Sequence, residues 1–138
     1  MSEYSGAPMT SVVLIAEDEG PIAAILATVV AEAGYSPHVA RHGRQALEMA
    51  REQWPALVIT DLMMPYLNGA ELIAALRGDA AREGHPAVPV ILLTAGSMKV
   101  GRAAGADVVL PKPFDLVQVE ALLDRFLSNQ PGFGAAER

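Results

Sequence analysis

The run Leu57-Val58-Ile59-Thr60-Asp61-Leu62-Met63-Met64-Pro65 constrains this chain more than any other stretch. Apolar and β-branched residues lead without alternation into one aspartate, and a proline follows. A strand that does not alternate is covered on both faces, and parallel sheets are where such strands occur. The strand ends where its sheet ends, so Asp61 is expected at the C-terminal edge, where open α/β sheets bind ligands. An aspartate at this point could also simply cap the following turn, so the other strands must decide.

Three more runs have the same character. Residues 11–16 are apolar and β-branched and end in Glu17-Asp18-Glu19. Residues 90–94 end in Thr94, and residues 108–110 run into Pro111-Lys112-Pro113-Phe114. A weaker strand over 35–40 has Val39 as its clearest core residue. Pro37 cannot donate to a ladder, which places that strand at a sheet edge.

Helical patterns lie between the strands. Pro21 suits a first helical position. Ile22, Ile25, Leu26, Val29 and Val30 then form one apolar stripe, and Gly34 stops the helix. A second helix opens at Gly43, shares Leu47, Ala50 and Trp54 on a face, and closes at Pro55. Asn68-Gly69 is a turn signal. Leu72, Ile73 and Leu76 mark a third helix that should end near Gly78, with a polar loop over 78–89. Residues 95–106 are small and glycine-rich, so any fourth helix should be short. Asp115 can cap the fifth, with Gln118 completing a capping box, and Val119, Leu122, Leu123 and Phe126 form its apolar face.

Strand and helix thus alternate five times, which implies an α/β fold with helices on both faces of a parallel sheet. Right-handed crossovers leave a doubly wound, flavodoxin-like, five-stranded sheet of order 2-1-3-4-5, its fourth helix shortened. The 138 residues suffice for one domain, expected over 11–127 between flexible tails at 1–10 and 128–138. A hydrophobic content of 51% excludes a disordered chain. The net charge of −6 argues against nucleic-acid binding, which needs a basic patch. There is no cysteine for a disulfide or thiolate metal site. The first residues lack a secretory pattern, and the most apolar window, 21–31, is shorter than the ~20 residues a bilayer requires. The expectation is a cytoplasmic protein without membrane insertion.

In a parallel sheet, Glu17, Asp18, Asp61, Thr94 and Lys112 would all reach one edge. Each has an ordinary explanation: acids favour a helix N-terminus, and Thr94 and Lys112 could be a plain strand residue and a surface cation. One shared crevice explains all four strand ends together. Crowded carboxylates raise each other's pKa unless a cation joins them, and Mg²⁺ suits an oxygen-rich site. A carboxylate beside such an ion is a competent nucleophile towards phosphoryl groups. A lysine and a threonine can hold phosphoryl oxygens, since the transfer depends on positioning and charge neutralisation.

The pattern closely resembles the receiver domain of bacterial two-component response regulators. The resemblance covers 11–127. It is carried by Glu17-Asp18, by Asp61-Leu62-Met63-Met64-Pro65 with Asn68-Gly69, by Leu93-Thr94-Ala95, by Ala104-Gly105-Ala106-Asp107 and by Lys112-Pro113-Phe114. It implies that Asp61 accepts a phosphoryl group from a histidine kinase or a histidine phosphotransfer protein. Glu17, Asp18, Asp61 and the Met63 backbone carbonyl would hold Mg²⁺. Thr94, the Ala95 backbone N–H and Lys112 would bind the phosphoryl group, and Thr94 would report its arrival. The Lys112–Pro113 peptide would be cis. Met63 and Gly96 stand where receivers tune phosphoryl lifetime, by positioning or blocking the hydrolytic water. Such a protein catalyses only its own phosphorylation and dephosphorylation, and is a monomer or a weak dimer formed on phosphorylation.

Three departures stand out. Val109 occupies the place of the family's aromatic switch residue. The segment between Thr94 and Lys112 is about one helical turn short. No output domain is expected after residue 127, so the output would be a protein contact or onward phosphotransfer. A haloacid-dehalogenase-type phosphatase would need an acid where Met63 stands. A Rossmann module would need a G-x-G-x-x-G after the first strand, which is absent. The alternative of another class is an interaction module of receiver fold not controlled by phosphorylation, in which the full acid-Thr-Lys set would be unnecessary.

Overall fold

The structure is a computed structural model that describes residues 11–128. Residues 1–10 and 129–138, where the tails are expected, lie outside the described residues.

Five strands, β1 (Val12–Ala16), β2 (Ser36–Ala40), β3 (Leu57–Asp61), β4 (Val90–Thr94) and β5 (Val108–Pro111), form one sheet of order β2-β1-β3-β4-β5. All pairs are parallel. The helices are α1 (Gly20–Glu32), α2 (Gly43–Glu52), α3 (Gly69–Glu83), α4 (Met98–Ala103) and α5 (Leu116–Leu127). The expected doubly wound fold is present, with β2 at the edge that Pro37 requires and α4 reduced to six residues.

The unbroken apolar runs are explained by two cores, one on each face of the sheet. Val13, Ile15, Leu57, Ile59, Ile91 and Leu93 pack with Leu26 and Val30 of α1 and Val119 and Leu123 of α5. Their neighbours Leu14, Val58, Val90 and Leu92 pack on the other side with Ala46 of α2 and Leu72 and Leu76 of α3. Successive strand side chains alternate between faces, so a strand with both faces covered is apolar on each; Thr60 of β3 is buried as well, its hydroxyl donating to the Asp61 carbonyl (2.9 Å). Burial of each such side chain stabilises the fold by about 1.5–3 kcal/mol.

The register positions the site. Ala16 lies beside Ala40 and Thr60, Asp61 beside Leu93, and Thr94 beside Pro111. Glu17, Asp61, Thr94 and Lys112 therefore emerge together at the C-terminal edge.

Five local expectations are corrected. Helix α3 does not end near Gly78 but continues to Glu83, where Gly84 closes it in the left-handed conformation (φ 73°). A mid-helix glycine costs roughly 1 kcal/mol. Here Ala80, Ala81, Arg82 and Glu83 continue the helix, and Asp79, buried at 3% exposure, is held by Arg51 of α2 (2.7 Å) and by Arg82. Ile25 was placed in the apolar stripe of α1 but is 46% exposed; Ala23 is buried instead. Trp54 does not extend α2, which ends at Glu52 because Pro55 disfavours helical backbone at the residue before it. Its indole N–H donates to the Pro86 carbonyl (3.1 Å) and its ring stacks on His85. The Asp115 side chain caps α5 by accepting from the Val117 N–H (2.9 Å), while the Gln118 N–H donates to the Asp115 backbone carbonyl (3.0 Å); a reciprocal capping box stands instead at Asn68 and Glu71 of α3. Ser128, expected to begin the tail, is the C-cap of α5.

The Ala104-Gly105-Ala106-Asp107 motif is structural. Arg77 of α3 donates to the carbonyls of Val88 (2.6 Å) and Gly105 (3.2 Å) and pairs with Asp107 (3.2 Å). Asp107 in turn accepts from the Val90 N–H (2.7 Å), tying α3 to the starts of β4 and β5.

Candidate functional site: an acidic crevice at the sheet edge

Glu17 follows β1 and is fully buried; Asp61 ends β3 and is 6% exposed; Asp18 is exposed. One carboxylate oxygen from each of the three lies within 4.8 Å of the other two. The β3–α3 connection holds Asp61 closely. The Gly69 N–H donates to the Leu62 carbonyl (2.8 Å), and a Cβ on Gly69 would fall 2.5 Å from the Asp61 carbonyl oxygen. Only glycine allows α3 to begin so near the strand end.

Lys112 follows β5 and reaches into this group. Its ammonium donates to Asp61 Oδ2 (3.0 Å) and Glu17 Oε2 (3.4 Å), and lies 3.7 Å from Glu19 Oε2. Burial opposes its charge, but the hydrogen bond and charge of Asp61, then those of Glu17, outweigh this and hold its pKa above the usual lysine value. Burial pushes the Glu17 carboxyl upward. The Glu19 N–H and Lys112 oppose that rise, and the negative charge of Asp61 adds to it. Glu17 Oε1 lies 3.2 Å from the Lys112 nitrogen, but without hydrogen-bond geometry, so this buried oxygen has no hydrogen-bond partner. An orphaned buried carboxylate oxygen facing two further carboxylates fits a hard divalent cation that takes oxygen ligands.

Thr94, at the end of β4, is 2% exposed, and its Oγ1 accepts from the Gly96 N–H (3.0 Å). Ala95 and Gly96 are exposed beside the crevice. The opening has a volume of about 380 Å³ and is bordered by Asp18, Asp61, Met63, Thr94, Val100 and Lys112. Met63 is 72% exposed at its rim. The Lys112–Pro113 peptide is cis. Val109, half-buried on β5, packs under α4, away from the acids. Glu19, which is not among the expected site residues, also takes part. Its backbone N–H donates to Glu17 Oε2 (3.1 Å) while its carboxylate approaches Lys112. Nothing local in the sequence marks that role, because it depends on where β5 delivers Lys112.

The chain matches the sequence profile of the response regulator receiver domain over residues 13–124. It belongs to the response regulator receiver family. Receivers are signalling phosphoacceptors that bind Mg²⁺ at an acidic pocket. This receiver is 36% identical to the DNA-binding response regulator MtrA of Mycobacterium tuberculosis over 106 residues, 74% of the chain and 44% of that protein. It is 31% identical to a histidine kinase of Formosa agariphila over 124 residues, 87% of the chain and 9% of that kinase. It therefore spans less than half the length of these two relatives. It is also similar to the receiver domain of a sensor histidine kinase from Pseudomonas aeruginosa, whose structure has a magnesium ion coordinated in the active-site cleft. The two share 26% identity and a TM-score of 0.74 over 85% of this chain and 97% of that one. Among the described residues of this receiver, no helix is long and apolar enough to cross a membrane.

Proposed function

We propose that this receiver accepts a phosphoryl group on Asp61 from a histidine kinase or histidine phosphotransfer protein in a Mg²⁺-dependent reaction. It then signals through a protein contact or onward phosphotransfer. The observation that carries this reading is the meeting of the Glu17, Asp18 and Asp61 carboxylates within 4.8 Å, with Lys112 3.0 Å from Asp61.

Glu17, Asp18, Asp61 and the Met63 carbonyl would hold the ion. When bound, Mg²⁺ supplies charge neutralisation for phosphoryl oxygens. An Asp61 carboxylate oxygen attacks phosphorus. The phosphorus–nitrogen bond of the donor's phosphohistidine breaks, and its electron pair leaves with the imidazole. Lys112, now hydrogen-bonded to Asp61, is within reach to pair with the transferred group. Thr94 and the Ala95 N–H border the same opening and would hold its remaining oxygens. Positioning and charge account for most of what such a transfer needs.

A protein donor is supported by the surface beside Lys112. Ile22, Ile25, Phe114 and Leu116 line a hollow of about 320 Å³ that Lys112 and Pro113 complete. Ile25 and Leu116 are exposed there. An apolar face continuous with the phosphoryl-binding lysine suits a donor that must lay its histidine over the crevice.

Incubation with Mg²⁺ and a small acyl-phosphate donor, followed by intact-protein mass measurement, tests the proposal. It expects one added phosphoryl group on the parent and none on Asp61→Asn. An unlabelled parent would instead favour an interaction module not controlled by phosphorylation.

A further inference from the structure

The packing of α4 gives Gly101 a role that the proposed function does not include. Gly101 is the one buried residue of α4. A Cβ placed on it would lie 2.8 Å from Val109 Cγ1 and 3.4 Å from both Val109 Cγ2 and Leu92 Cδ2. Carbon atoms pack best at about 3.5–4.0 Å, so α4 in its present seat has no room for even a methyl group. Nor can the obstacle swing aside: Val109 is β-branched and stiff at χ1. Helix α4 lies flat on β5 because residue 101 has no side chain and residue 109 has a short one. Val109 is thus the floor on which α4 rests, as well as the place where an aromatic is missing.

From this seat, hydrogen bonds run back to the crevice. The Gly101 N–H donates to the Ser97 carbonyl (3.2 Å). The Ser97 hydroxyl accepts from the N–H groups of Lys99 (3.1 Å) and Val100 (3.4 Å). One residue earlier, the Gly96 N–H donates to Thr94 Oγ1 (3.0 Å). A threonine hydroxyl has one proton and two acceptor sites. With one acceptor site taken by Gly96, the proton of this buried hydroxyl is free to point into the opening that Thr94 borders.

We propose that Gly101, seated on Val109, is a positioning residue that aims the Thr94 hydroxyl at a phosphoryl group on Asp61. The inference rests on the phosphoacceptor reading. By reciprocity, whatever unseats α4 weakens phosphoryl binding, and phosphoryl binding strengthens the seat.

The test is titration of the parent, Gly101→Ala and the double variant Gly101→Ala with Val109→Ala, first with Mg²⁺ alone and then with beryllium fluoride in excess Mg²⁺. The double variant removes both Val109 methyl groups that the new Cβ would meet. Expected are a loss of about tenfold in beryllium fluoride affinity for Gly101→Ala, unchanged Mg²⁺ affinity, and recovery to within about twofold of the parent in the double variant. Parent-like binding by Gly101→Ala overturns the inference. So does failure of the double variant to recover, or equal loss of Mg²⁺ and beryllium fluoride binding, which marks general structural damage. A parent that binds no beryllium fluoride overturns the phosphoacceptor reading itself, and this inference with it.

Discussion

The Lys112 ammonium lies 3.0 Å from Asp61 Oδ2, close enough to neutralise the carboxylate but with only one of its two oxygens engaged. The same ammonium also faces Glu17 and Glu19. One cation among three or four carboxylates leaves the crevice net negative, and this imbalance is what a divalent ion would correct.

Glu17 makes that imbalance measurable. Its folded pKa is raised above the ordinary glutamate value of 4.5, mainly by burial. Its favourable contribution is therefore fully present below about pH 4.5 and is lost as pH rises through the raised value. Mg²⁺ should then raise the melting temperature more at pH 7 than at pH 4. Glu17→Gln should stabilise the metal-free protein at pH 7 and reduce the gain from Mg²⁺. Thermal melts at the two pH values check both; equal Mg²⁺ effects would contradict the account.

Asp79 carries the opposite sign, far from the site. The hydrogen bond from Arg51 outweighs burial and holds its pKa below 3.8, with Arg82 adding to the effect. Its contribution is present above that unfolded value and is lost as pH falls through the lower folded one. Both arginines are more than half exposed, so water screens the pairs. Asp79→Asn should cost about 1 kcal/mol at pH 7, read by urea unfolding, with phosphoryl labelling unchanged. A variant as stable as the parent would remove the clasp from the account.

What could be read from the sequence follows from where the physics is local. Residues 57–61 and 90–94 read as strands because both faces are covered, which leaves Thr60 as the one polar residue before their ends. Asp61, Thr94 and Lys112 read as a site because parallel strands must all end on one edge. The length of α3 was hidden because Gly78 is a local stop signal, whereas the Asp79–Arg51 pair that holds the helix beyond it comes from another element. Ile25 matched the helical period, but period alone cannot tell a covered stripe from its exposed margin. The contact of Gly101 with Val109 exists only after α4 folds back on β5.

Met63 governs the lifetime of the phosphoryl group in this account. Its exposed thioether side chain stands at the rim of the crevice, and Gly96 has no side chain with which to orient a water. Hydrolysis should be slow for the family, and Met63→Asn, which offers a polar group to water, should decay faster. Decay of labelled protein in excess chelator-free buffer, followed by mass, measures it. A variant that decays no faster than the parent refutes the role.

Residues 95–104 should carry the largest change on phosphorylation. They follow Thr94 directly and contain Gly96, Gly101 and α4, the shortest helix among the described residues. Val109, packed under them, should barely move. Amide hydrogen exchange with and without beryllium fluoride should show increased protection across 95–104. An unchanged segment, with the main change in another helix, would contradict this route for the signal.

The central claim is that Asp61 is the phosphoacceptor and that the acids around it require Mg²⁺. Intact-protein mass after exposure to a small acyl-phosphate donor tests it most directly. One phosphoryl group should add to the parent with Mg²⁺, and none with excess chelator or with Asp61→Asn. Undiminished labelling of Asp61→Asn, or labelling in excess chelator, would contradict it.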